Sequence, residues 1–284
     1  MTNVELYQLM GEDSLRFLNN YCTADLQKWD RDSPIEAMLL DTKGRTIALV
    51  TVYAVSGGLN LISWGKPTVD VVQHLDRYIF RNDKSIRQLP SLISVNRIES
   101  IGDGWLPDGP MVTSVENTQD GWLVNTIVGV SLLLKETAAE VEAQGSSSSD
   151  DEEFEARRIR SAFPLVGVDT VEATLPQELG RDVWDISFTK GCYLGQETVA
   201  RLDARGHVNW KMGRLNLELS DVPELAPGAT LYAEDQQVGT ITSASGAFGL
   251  ARLRSSHSAA GTCLRVQTEA GEVLGSATVA AGPQ

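Results

Sequence analysis

Residues 190–197 read Lys-Gly-Cys-Tyr-Leu-Gly-Gln-Glu, which places an ammonium, a thiol, a phenol, an amide and a carboxylate around two glycines. Glycine takes positive φ or lets another backbone come close, so Gly191 and Gly195 can hold Cys192 and Tyr193 on a tight, accessible loop. A neighbouring cation such as Lys190 favours the thiolate of Cys192, the form of sulfur that attacks carbon and binds metals. A turn entering a helix at Gln196 would account for the glycines alone. It would not account for their polar company. Between positions 190 and 214 the chain also carries Lys190, Arg201, Arg205, Lys211 and Arg214 against only Glu197 and Asp203, in a protein of net charge −14. A small anion would settle there before anywhere else, although arginines of a solvated loop can equally pair with distant carboxylates.

The other candidate groups are weaker. Cys22 and Cys263 occupy ordinary helical and strand contexts, where a free cysteine acts as a small apolar residue. Three scattered cysteines make no disulfide framework, and no Cys-x-x-Cys or Cys/His cluster suggests a metal site, so metal ligands are expected to be absent. His74, His207 and His257 lack a serine or cysteine partner at a motif spacing. The negative charge argues against general binding to nucleic acid or anionic membrane, since phosphates would be repelled at long range. No export segment and no long apolar run is visible, and a reducing cytosol is the expected compartment.

The elements that must position the octapeptide follow from periodicity. Residues 12–20 place Leu15, Phe17 and Leu18 on one helical face. Apolar runs at 37–40 and 46–53 flank the Asp41-Thr42-Lys43-Gly44 turn, and 59–62 adds a third strand. Pro67 opens a helix with Val69, Val72, Leu75 and Ile79 at helical spacing. Residues 144–153, a serine run followed by four acids, read as a mobile linker or exposed loop, after which 154–159 is helical up to Pro164. Short apolar segments from 212 onward, at 213–219, 230–232, 237–243, 249–253, 263–268 and 273–277, predict a small antiparallel barrel. The fold class is therefore α+β with antiparallel sheet and a β-barrel at the C-terminal end.

The octapeptide resembles the Lys-Gly-Cys-Tyr-x-Gly-Gln-Glu signature of the YgfZ type of folate-binding proteins, relatives of the aminomethyltransferase, or T protein, of the glycine cleavage system. Further matches run in the family's order: 11–14 and 23–26, Lys43-Gly44-Arg45, Arg158-Ile159 through Phe163-Pro164, 167–169, and 238–243. The resemblance covers nearly the whole chain and is faintest over 84–150. It implies an aminomethyltransferase-like ring of two interleaved α+β domains plus the barrel. Residues 1–53 with 150–210 would form a discontinuous folate-binding domain, 54–149 an inserted domain ending in the serine- and acid-rich linker, and 211–284 the barrel.

The resemblance also implies a ligand, tetrahydrofolate or a derivative, and iron–sulfur proteins as clients, including radical enzymes that modify tRNA. Folate needs a ring face, partners for the pterin edge and cations for its glutamate tail. Tyr193 and Phe154 are candidates for the face, Gln196 and Glu197 beside Gly195 for the edge, and Arg158 or Arg201 for the tail. Asp25 falls on the family's Thr-Asn/Ala-Asp element, where it can also simply cap a turn, and Lys43 and Arg45 form a cationic hairpin tip. Cys192 and Lys190 would carry the chemistry. The chain departs from the pattern at Arg160, where relatives usually carry an acid. Ala48 and Leu49 stand where aminomethyltransferases place an aspartate near the reacting folate nitrogen, which disfavours glycine cleavage. Three readings follow: a folate-binding accessory factor for iron–sulfur enzymes, a one-carbon transferase using another base, and an interaction scaffold without folate. Whether the chain is an enzyme stays open.

Overall fold

The computed structural model describes residues 4–80, 84–136, 148–220 and 227–281. Five strands, β1 (Val4–Met10), β2 (Ile35–Leu40), β3 (Thr46–Val55), β4 (Gly58–Trp64) and β5 (Ser85–Leu89), form an antiparallel sheet in the order β2-β3-β4-β1-β5. The near-continuous buried runs of β2, β3 and β4 show that both faces of the sheet are covered there. Successive side chains point to opposite faces. Met38, Leu40, Leu49, Ile62 and Trp64 accordingly enter one core, and Ala37, Leu39, Ala48, Val50 and Leu61 the other.

The second of these cores is closed by α1 (Ser14–Asn19) and α2 (Val71–Asp76), through Phe17, Leu18, Val71 and Leu75. Helix α2 is shorter than the expected Pro67 start. Asp70 caps it by accepting from the Gln73 amide at 2.9 Å, and Val69 stays outside and exposed. The first core is closed by a four-stranded sheet, β6-β9-β8-β7, made of β6 (Ser91–Ile98), β7 (Val112–Thr118), β8 (Gly121–Thr126) and β9 (Val130–Glu136). The first sheet thus runs through Leu89, past the expected domain boundary at 53, which falls inside β3.

Helix α3 (Ser148–Arg160) corrects the linker reading. Asp150, Asp151, Glu152 and Glu153 are not loop but the helix's opening turns. Acidic residues at the start and Arg157, Arg158 and Arg160 at the end complement the helix dipole. The remainder of that expected linker, 144–147, lies outside the described residues. Two further helices, α4 (Asp182–Asp185) and α5 (Gln196–Arg205), flank the octapeptide.

The C-terminal strands β10 (Trp210–Leu219), β11 (Thr230–Ala233), β12 (Gln236–Ser245), β13 (Phe248–Arg254), β14 (Cys263–Gln267) and β15 (Val273–Val279) close into a barrel in the order β10-β13-β12-β11-β14-β15. Leu215, Leu231, Val238, Ile241, Leu253 and Val266 fill it. A bulge between Ile241 and Ser243 lets two successive residues turn toward the same partner. Thr242 and Ser243 both donate to Asp169, at 2.6 and 2.7 Å.

Candidate functional site

The octapeptide is anchored on both sides of its cysteine. The loop between α1 and β2 supplies the mooring: the Lys190 ammonium donates to the backbone carbonyls of Asn19 at 2.6 Å, Cys22 at 3.0 Å and Ala24. Two residues beyond the cysteine, the Leu194 amide donates to the Asn20 carbonyl at 3.0 Å. Tyr193 drops into the core shared by the two sheets, with the Lys190 Nζ 5.1 Å from its ring centroid. Burial raises the Tyr193 phenol to about 12 and lowers the Lys190 ammonium. Cys192 stands between these anchors and is exposed. Beside it, a side chain built on Gly191 would meet open space. The segment therefore presents one thiol to solvent from a fixed backbone.

The second glycine works differently. Gly195, at φ 82°, meets Gly44 of the β2–β3 turn, at φ 78°. A Cβ on Gly44 would lie 2.6 Å from the Thr198 Cβ and 2.9 Å from the Gly195 carbonyl oxygen. The Thr198 hydroxyl donates to the Lys43 carbonyl at 2.8 Å across the same seam. Two motifs more than a hundred positions apart are thus one structure, the hairpin tip docked on the start of α5. Gly44→Ala is expected to cost about 1–3 kcal/mol, through overpacking against backbone and a disfavoured φ. Thermal denaturation against wild type measures it, and an unchanged midpoint would mean the seam is loose.

The structure separates the remaining candidates. Gln196 is half-buried at the start of α5, and Glu197, Arg201 and Lys43 are exposed. The Asp41 carboxylate accepts from the Lys43 and Arg45 amides at 2.8 Å each, and Arg45 reaches Glu172 at 3.5 Å. Asp25 accepts from the Gln27 amide at 3.2 Å and pairs with Lys28 at 3.3 Å, which is the turn-capping role. Phe154 is not at a pocket: it is buried, stacked on Trp64 with centroids 6.2 Å apart. Arg158 is not available to a glutamate tail either. It is fully buried and donates to Asp169 and the Phe163 carbonyl at 2.9 Å, to Ser243 at 2.8 Å and to Glu155. It ties α3 to the barrel. Arg160, the departure noted in the sequence, donates to the Gly104 carbonyl at 2.7 Å and to that of Gly102.

Of the other cysteines, Cys22 is packed as expected, with burial pushing its thiol up to about 11. Cys263 is exposed, contrary to the packing role expected for it. The barrel end of β14 leaves its side chain outside, 3.5 Å from the Thr278 hydroxyl. A cavity of about 500 Å³ opens between the two sheets near Tyr53 and Trp122, and one of about 340 Å³ lies against the barrel. Neither includes Cys192.

Sequence reasoning missed a buried cluster beneath the site. Arg181 pairs with Asp185 at 2.9 Å and with Glu36 on β2, stacks 4.5 Å from the Phe163 centroid, and reaches the Gly109 carbonyl at 3.3 Å. An Arg-x-x-x-Asp spacing and one acid inside the apolar β2 run were its signals. The Thr23 hydroxyl donates to the Asp185 carbonyl, and the Ser187 amide to that of Thr23 at 2.9 Å, so the cluster and the octapeptide share one loop.

Residues 214–281 match the family described as CAF17, C-terminal beta-barrel domain. An uncharacterised protein of Haemophilus influenzae is 35% identical over 118 residues, 40% of this chain and 41% of that protein, so the chain matches less than half the length of that relative. The tRNA-modifying protein YgfZ of Yersinia enterocolitica is 24% identical over 291 residues, 95% of this chain and 87% of that one. Among solved structures, the glycine cleavage system aminomethyltransferase T from Bartonella henselae superposes with a TM-score of 0.74, covering 98% of this chain and 83% of that chain at 12% identity, a likeness of fold. Among the described residues no helix is long and apolar enough to cross a membrane. The barrel match, the near full-length likeness to YgfZ and the common fold agree with the octapeptide: the chain is similar to the YgfZ proteins and has the α+β fold of the aminomethyltransferases, completed by a closed six-stranded barrel.

Proposed function

We propose that this protein is a cytosolic accessory factor that supports assembly or repair of iron–sulfur enzymes, tRNA-modifying ones among them, and that Cys192 is the group it presents to them. One observation carries the reading: an exposed thiol on a segment whose neighbours Lys190, Tyr193, Leu194 and Gly195 are all immobilised. A structural cysteine would be buried, as Cys22 is. A thiol meant to meet a partner's iron or an electrophile needs access and a fixed position, and soft sulfur suits iron. Lys190 and Tyr193 set that position. The name of the Yersinia relative, a tRNA-modifying protein, supports clients of that kind.

Tetrahydrofolate is the proposed small-molecule partner. The residues left exposed or half-exposed, Gln196, Glu197, Arg201 and Lys43, fit its polar ends, an amide and a carboxylate for the pterin edge and cations for the tail. The aromatic face does not come from Phe154 or Tyr193, which belong to the core. When bound, the folate would supply a one-carbon carrier; this chain's own residues bind and orient it.

The test is complementation of a deletion strain. Cys192→Ser is expected to fold like wild type, within about 0.5 kcal/mol as an exposed substitution, and to lose most of the restored iron–sulfur enzyme activity. Full restoration by the variant would sink the thiol's role. Calorimetry with tetrahydrofolate checks the ligand separately, and a lack of saturable heat would leave the scaffold reading.

A further inference from the structure

The barrel carries two arginines that no acceptor among the described residues meets within pairing distance. Arg252 and Arg254 are two apart on β13, outside the barrel, and both guanidiniums lie over the same indole, 3.9 and 4.6 Å from the Trp210 ring centroid. Trp210 is on the neighbouring strand, directly opposite Arg254. Among the described residues neither guanidinium has an ion pair within 4.0 Å or a hydrogen-bond acceptor, and the Arg252 Nε is a buried donor without a partner. The other half-buried arginines all have partners: Arg45 has Asp41 and Glu172, Arg160 the 102–104 carbonyls, Arg214 Asp108 and Arg265 the Glu234 carbonyl.

Two like charges held side by side, one of them half-buried, oppose folding unless something else is gained. The nearby acids do not relieve them. Asp169 directs one oxygen to Arg158 and the Leu165 amide and the other to Thr242 and Ser243. Glu178 draws on Arg252 from beyond pairing distance and accepts instead from the Leu175 amide at 3.3 Å. Beside the pair lies the cavity of about 340 Å³, whose wall adds Gln237 and Thr240. That volume is at the small end for ligand sites.

We propose that this cavity is a binding site for a small phosphate ester, held by Arg252 and Arg254 against Trp210. A carboxylate occupies a single guanidinium fork, whereas a tetrahedral phosphate has enough oxygens for two forks at once. The protein's net charge of −14 and the cavity's size favour a small molecule over nucleic acid. The site is distinct from the Cys192 face, so its test is independent of the proposed function.

The probes are ribose 5-phosphate, inorganic phosphate and acetate at matched ionic strength, followed by calorimetry and tryptophan fluorescence. Ribose 5-phosphate is expected to bind at one saturable site, with a fluorescence change as the guanidiniums over Trp210 engage it, and acetate is expected to do neither. Arg254→Gln, exposed and remote from the core, should weaken binding about tenfold, the loss of one charge-assisted contact. Arg252→Gln should abolish it, with folding checked by thermal denaturation. No saturable response up to about 10 mM ribose 5-phosphate, a range that captures even weak sites, would overturn the proposal. So would equal affinity in wild type and Arg254→Gln, or acetate binding as well as the phosphates.

Discussion

Arg181→Met is expected to destabilise the protein by about 3–5 kcal/mol, the cost of leaving the buried negative charge of the Glu36–Asp185 pair without its cation. Glu36 and Asp185 are both almost fully buried, and both rely on the same guanidinium. Remove it and two acids face each other in the interior. Chemical denaturation monitored by tryptophan fluorescence measures the loss; a shift below about 1 kcal/mol, the range of an ordinary substitution, would show the cluster to be solvated or loosely held. Replacing Arg181, Glu36 and Asp185 together by apolar residues of similar size should cost far less than the single change, because no charge is stranded.

The same cluster gives stability a pH dependence. Burial pushes the Glu36 carboxyl up to about 8, against the pull of Arg181 and with further repulsion from Asp185. The folded protein then holds a proton that the unfolded chain has already released. The site's contribution is complete below the ordinary glutamate value of 4.5 and is lost as pH rises through about 8. The slope in that window is at most about 1.4 kcal/mol per pH unit. Glu36→Gln, which keeps an acceptor for the Met111 amide without a charge to bury, should flatten it.

What the sequence disclosed and what it hid divide along a physical line. Strands β2, β3 and β4 and the barrel were readable because alternation and turn residues are local signals, written within ten residues of themselves. The octapeptide was readable as a unit because its odd composition is also local. Partners were not. Lys190 reads as a cation beside a cysteine, yet its acceptors come from a loop 171 positions away. Phe154 and Arg158 read as pocket residues because of their motif, and folding put an indole on one and an aspartate, a glutamate and a serine on the other. Composition mislabelled residues 150–153, since four acids look like a linker until the helix dipole they face is considered.

Lys190→Met is expected to cost roughly 3–5 kcal/mol, since three carbonyls of the 19–24 loop lose a charged donor and gain none in return. Lys190→Arg should rescue little of this. A planar fork cannot aim at three carbonyls that converge on one point, as an ammonium can. The measurement that separates a clamp from a chemical partner is alkylation of Cys192, followed by mass spectrometry in a Cys263→Ser background so that one exposed thiol remains. At a temperature where Lys190→Met is still folded, the clamp role leaves the alkylation rate at neutral pH unchanged while the denaturation midpoint falls. A rate that drops with the stability intact would instead put the ammonium to work on the sulfur. The geometry favours the first outcome, because each of the three protons of Lys190 already has a carbonyl oxygen to meet.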